Sequence, residues 1–105
     1  MPTTFETKAY AMKDATISNT ALTMTGIGFT AAQLARARRA LITVDVNNVR
    51  ITYDGTTPTA SLGHAVSNNL ASFYLEGNAN IQNLQLIRGS GTDGEVTITL
   101  ETDLG

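Results

Sequence analysis

Between Arg39 and Gly55 the chain alternates apolar and polar residues with a period of two. Ala40, Ile42, Val44 and Val46 alternate with Leu41, Thr43 and Asp45; Val49, Ile51 and Tyr53 alternate with Arg50, Thr52 and Asp54. This period predicts two strands, 40–46 and 49–55, each with one face for a core and one for solvent or a partner. Asn47-Asn48 lies between them, and asparagine tolerates the positive φ of a type I′ turn. The expected connection is therefore a two-residue hairpin with Val46 opposite Val49.

The same reading extends along the chain. Residues 15–17 and 22–25 flank Ser18-Asn19-Thr20 as a first predicted hairpin. Residues 71–77 alternate with Phe73 and Leu75 inward. Residues 81–88 read as a strand whose alternation slips near Asn83, as at a bulge. Residues 95–101 place Val96, Ile98 and Leu100 inward and Thr97, Thr99 and Glu101 outward. One helix is predicted, over 31–37. Thr30 and Gln33 have capping-box spacing, Phe29 and Leu34 sit where a hydrophobic staple would, and Arg36, Arg38 and Arg39 crowd the end that favours positive charge. The loop 56–64 is too polar for a strand, with Leu62 and Val66 expected to return to the core. Residues 1–14 carry no strong pattern and read as an N-terminal arm, anchored by Phe5 and Tyr10, ahead of one domain over 15–105. The fold class is all-β: an antiparallel β-sandwich or jelly-roll-like barrel with one short helix.

Composition narrows the chemistry. A chain of 105 residues has room for one core. Charged residues make up only 15%, and threonine, asparagine, serine and glycine take their place, as befits solvent-facing sheet and turns. A net charge of −2 gives no field for capturing nucleic acid. There is no cysteine, which excludes disulfides and thiolate metal sites. The first residues lack the basic start and apolar run of a signal peptide, and no apolar run has the length to span a membrane.

Candidate catalytic residues are few. His64 is the only histidine; it lacks a placed nucleophile or orienting carboxylate for general-base work and a second histidine for a metal, so it reads as a surface or loop-packing residue. Asp93 with Glu95 is the nearest approach to a calcium loop and lacks further ligands. Gly26-Ile27-Gly28 and Gly89-Ser90-Gly91 lack the lysine and following helix of a phosphate-binding loop. The expectation is no enzyme, no cofactor and no metal. Candidate partner contacts are Phe5, Tyr10, Arg36, Arg38 and Arg39, the arginines forming the only cationic cluster.

The order of features from Ala40-Leu41-Ile42-Thr43-Val44, through Asp54-Gly55-Thr56-Thr57-Pro58-Thr59 and Leu62-Gly63-His64, to Phe73-Tyr74-Leu75-Glu76-Gly77 and the closing Val96-Thr97-Ile98-Thr99-Leu100 resembles small structural proteins of tailed-bacteriophage virions. The resemblance spans residues 38–101. It implies a non-enzymatic virion component made in the bacterial host cytoplasm: a capsid cement or decoration protein, or else a head–tail or tail-associated subunit. Its implied partners are further copies of itself and other virion proteins. Threonine-rich outer faces suit that role, the outer rows being Thr23, Thr25, Thr43, Thr52, Thr97 and Thr99. The competing class is a carbohydrate-binding β-sandwich module, which needs exposed aromatic side chains.

Overall fold

The alternating segments become strands in two antiparallel sheets, in a computed structural model that describes residues 7–69 and 71–103. The elements run β1 (Thr7–Ile17), β2 (Leu22–Thr23), α1 (Met24–Ile27), α2 (Ala31–Arg36), β3 (Arg39–Val46), β4 (Val49–Thr52), β5 (His64–Val66), β6 (Phe73–Glu76), α3 (Asn78–Gln82), β7 (Gln85–Arg88) and β8 (Gly94–Asp103). The first sheet has the order β1-β8-β3-β6 and the second β2-β7-β4-β5. The pairing is nested: first strand with eighth, second with seventh, third with sixth, fourth with fifth. The chain is thus one long antiparallel ribbon, its tip at residues 53–63, that changes sheet at each crossing before the tip and again after it.

The period-two faces are as the sequence implies. Ala40, Ile42 and Val44 of β3 and Val96, Ile98 and Leu100 of β8 point inward from the first sheet. Val49 and Ile51 of β4, Leu86 of β7 and Val66 of β5 meet them from the second. Each valine, leucine or isoleucine among them contributes about 1.5–3 kcal/mol when fully buried. Phe73 packs partly buried against this core and Leu75 lies within it.

The predicted helix forms as α2 with both halves of its capping box: the Gln33 amide donates to Thr30 Oγ1 at 3.1 Å, and the Thr30 amide to Gln33 Oε1 at 3.0 Å. Phe29 and Leu34, the staple pair, are both buried. It is not the sole helix. Thr23 caps α1 by accepting from the Gly26 amide. The segment 78–82, whose last two residues were expected to open the 81–88 strand, is α3. The slip in alternation near Asn83 marks the end of that helix, where the period changes from 3.6 to 2 at Ile81 and Leu84.

Three pairings differ from the sequence expectation. The 40–46 and 49–55 strands do not form a hairpin: β3 lies between β8 and β6, while β4 lies between β7 and β5. Val46 pairs with Glu95 beyond a bulge and is exposed, whereas Val49 is buried between Val66 and Arg88. Asn47 does adopt the positive φ expected of it, 57°, but in a corner between sheets. Residues 15–17 and 22–23 likewise belong to different sheets. The segment read as an arm is, from Thr7 to Asp14, part of β1 and paired along β8; residues 1–6, with Phe5, lie outside the described residues. Leu62 is exposed while Val66 is buried.

Truncating Ile51 to alanine should cost about 2–5 kcal/mol in chemical denaturation; a loss under about half a kcal/mol would place it on a solvent face. Removing residues 1–14 strips most of the partner from β8, so the thermal midpoint should fall by roughly 10 °C or more. An unchanged midpoint would mean that the 7–14 pairing adds nothing to the core.

Candidate functional site

Cross-strand partners share a face of a sheet, so the register of the first sheet defines what its outer surface presents. Met12 pairs with Thr99, Thr99 with Leu41, and Leu41 with Tyr74. This row, apolar but for Thr99, crosses all four strands, and its ends are open: Met12 is 62% and Tyr74 45% exposed. On one side runs a hydroxyl and carboxylate row. Asp14 pairs with Thr97 and Thr97 with Thr43, and Thr43 exchanges a hydrogen bond with Ser72. The Thr97 hydroxyl lies 2.7 Å from Asp14 Oδ1 and 2.8 Å from Asp45 Oδ2, and its single hydrogen serves one of them at a time. On the other side runs a charged row in which Glu101, Arg39 and Glu76 are in register.

The outer threonines divide accordingly. Thr43, Thr97 and Thr99 face outward from the first sheet. Thr52 is buried, donating to the Thr56 carbonyl, and Thr23 and Thr25 belong to the α1 cap, where their hydroxyls meet.

The arginine cluster does not stay together as a free cationic patch. The Arg36 guanidinium sits over the Tyr10 ring at 4.6 Å, and the Tyr10 hydroxyl donates to the Gln33 carbonyl. Burial pushes the Tyr10 phenol up, partly offset by Arg36. Arg38 reaches Asp103 at 3.5 Å on the exposed rim. Arg39 is in β3, where its Nε contacts Glu101 Oε1 at 2.7 Å and its guanidinium lies 4.0 Å over the Tyr74 ring. Glu101, expected outward in solvent, is buried under these groups. Burial works to raise its carboxyl, but hydrogen bonds from Thr7 (2.7 Å) and Arg39, with the charge of Arg39, outweigh it and hold the group below the ordinary carboxylate range.

A second surface lies at the opening between β5 and β6, the edges of the two sheets on one side. His64 is exposed and stacks on Tyr53 with ring centroids 5.7 Å apart and planes 24° from parallel. On one side of this stack is an open hollow of 530 Å³ floored by Ile51, Val66 and Leu75; on the other is one of 470 Å³ bordered by Thr52, Asp54 and Thr56. Gly63 positions His64. Its φ of 133° suits glycine, and a Cβ there would stand 3.1 Å from the Ile51 carbonyl. Arg50 holds the same loop, donating to the Ala60 and Gly63 carbonyls at 3.0 and 2.9 Å. Asp54 Oδ1 accepts from the Thr56 amide at 3.0 Å, and the Thr56 hydrogen bonds keep its carboxyl below the ordinary range. The stack joins residues that meet only because β4 pairs with β5, so no short-range signal exposes it.

Among the described residues no group of three or more His, Cys, Asp or Glu is arranged to hold a metal ion, and no helix is long and apolar enough to cross a membrane. Asp93 pairs with Arg88 at 2.9 Å.

The Glu101 shift sets a pH test. Its folded pKa is depressed, so its contribution is complete above the unfolded carboxyl's ordinary 4.5 and is lost as pH falls through the lower folded value. Glu101→Gln should therefore lie furthest below wild type in thermal midpoint at pH 6–7, with the gap narrowing toward pH 3. A gap that widens in acid would reverse the assigned sign. No family model matches the chain, and no curated protein or solved structure is significantly similar to it.

Proposed function

We propose that this chain is a non-enzymatic structural subunit of a bacteriophage virion, a capsid cement or decoration protein, and that its sandwich is a jelly roll. The fold reading draws on the nested pairing, which joins β1 to β8, β2 to β7, β3 to β6 and β4 to β5. A ribbon wrapped in that order, with two four-stranded sheets, is the plan of double-sheet jelly rolls, which recur in viral capsid and lectin domains and in cupins. Fold alone does not choose among those.

The observation that carries the choice is the outer face of the first sheet. An apolar row from Met12 to Tyr74, bordered by hydroxyls and by fixed charges, has the layout of an interface core inside a polar rim. The rim brings hydrogen-bonding groups already ordered within the chain, among them Thr43 with Ser72 and Arg39 with Glu101. Docking a rigid sheet face saves the ordering cost that a loop would incur. The occupant we assign is a subunit of the capsid lattice, with further copies of the chain alongside.

The test uses expanded capsids lacking the protein. The wild-type chain should bind them saturably. Met12→Glu, placed in the exposed end of the row, should weaken binding roughly tenfold or more while leaving the thermal midpoint near that of wild type. A chain that is strictly monomeric and binds no virion component would end the assembly reading.

A further inference from the structure

We infer that the opening between β5 and β6 is a binding site for a neutral saccharide, a function separate from assembly, on an adjoining surface that meets the assembly face at Tyr74. The argument starts from the two halves of a sugar ring. A pyranose has C–H groups on a face and hydroxyls around its edge, so its site needs an apolar, preferably aromatic wall beside hydrogen-bonding groups. The Tyr53–His64 stack divides two such environments. Toward Ile51, Val66 and Leu75 the hollow is apolar and rimmed by Phe73 and Tyr74. Toward Thr52, Asp54 and Thr56 it is polar. Their volumes, 530 and 470 Å³, each fall within the roughly 300–1,000 Å³ of small-molecule sites.

The walls are held before any ligand arrives. Tyr53 is held against His64, Tyr74 lies beneath the Arg39 guanidinium, and Arg50 fixes the loop behind Gly63. Preorganised walls reduce the ordering cost of binding. Asp54 orients through the Thr56 amide and retains acceptor capacity, since an ionised carboxylate has about four lone-pair sites.

Charge selects the class of sugar. Among the described residues Asp54 is the only acidic one bordering the two hollows; Arg50, behind Gly63, is turned to the Ala60 and Gly63 carbonyls, and Arg39, over Tyr74, is paired with Glu101. A lone carboxylate accepts hydroxyl hydrogens and repels phosphates, sulfates and acidic sugars. Neutral, hydroxyl-rich rings remain.

The experiment is a titration of the full chain, followed by amide and aromatic NMR, with neutral hexaoses of glucose, galactose and N-acetylglucosamine up to about 10 mM, well past the millimolar range of weak sites. At least one should give saturable shifts at Tyr53, Asp54, His64 and Phe73. Tyr53→Ala should weaken that binding at least tenfold, whereas Tyr53→Phe, which keeps the ring, should retain it. Should Tyr53→Ala fail to fold, His64→Ala provides the same test from the other ring. Met12→Glu should leave the affinity unchanged, which separates this site from the assembly face. The inference is overturned if none of the three sugars shifts these residues. It is equally overturned if an acidic hexaose binds as well as the neutral ones, or if an apolar peptide strand binds there and the sugars do not.

Discussion

What holds this sandwich together is the bonding between crossings that the ribbon brings side by side. Where the chain leaves one sheet for the other, a returning crossing runs beside it, and the two share hydrogen bonds. Asn48 lies at the β3–β4 corner; its carbonyl accepts from the Gly89 amide at 2.8 Å and its side-chain oxygen from the Asn68 amide at 3.2 Å. Asn47 donates from its side chain to the Asp93 carbonyl at 2.8 Å. At the next crossing the Asn78 side-chain amide donates to the Leu34 and Ala37 carbonyls, and the Gly77 amide donates to Arg38. At the third, the Arg88 amide donates to Ser18. Chain leaving a sheet carries polar groups with no ladder partner, and each hydrogen bond made between crossings contributes about 0.5–1.5 kcal/mol. Pairing the crossings meets that need and fixes which strand lies beside which.

This arrangement explains why the sequence was clear about faces and misleading about partners. Period two reports which residues point inward, and Ala40, Ile42, Val44, Val49 and Ile51 all do. It does not report whether two consecutive strands lie in one sheet or face each other across a core, because both arrangements bury nearly the same residues, Val46 being the exception. The Asn47-Asn48 pair fits either: the positive φ that a hairpin tip demands also turns an inter-sheet corner. The arm was misread for a related reason. β1 is an edge strand whose outward Met12 and Asp14 and inward-side Lys13 blur the alternation, and charged residues at such positions guard an edge against foreign strands.

Local chemistry was legible where it acts over three or four residues. The Thr30–Gln33 capping box and the Phe29–Leu34 staple stand as the spacing implies. Contacts made across the ribbon were not legible. Nothing near Asn78 in sequence marks it as the cap for the end of α2, and nothing near Glu101 marks it as buried beneath Arg39 and Thr7, which are 62 and 94 residues away. The same holds for the surfaces that matter to function. The arginines read as one cluster are split among Tyr10, Asp103 and Glu101. The apolar row joins Met12, Leu41, Thr99 and Tyr74 from four strands.

The two surfaces also differ in what fixes them. The outer face of the first sheet is carried by its longest strands, with β8 paired on both sides, so a flat contact there is backed by a continuous ladder. The opening between β5 and β6 lies where two short edge strands leave the core uncovered, and its walls depend on side-chain stacks and on a loop tied down by Arg50. A broad, rigid face suits contact with a lattice, where many modest contacts add over a large area. A narrow opening with aromatic walls suits a small ligand, whose affinity comes from a few well-placed groups. Because the ribbon pairs β3 with β6 and β4 with β5, both surfaces follow from one topology, and either can change its side chains without disturbing the crossings that define the fold.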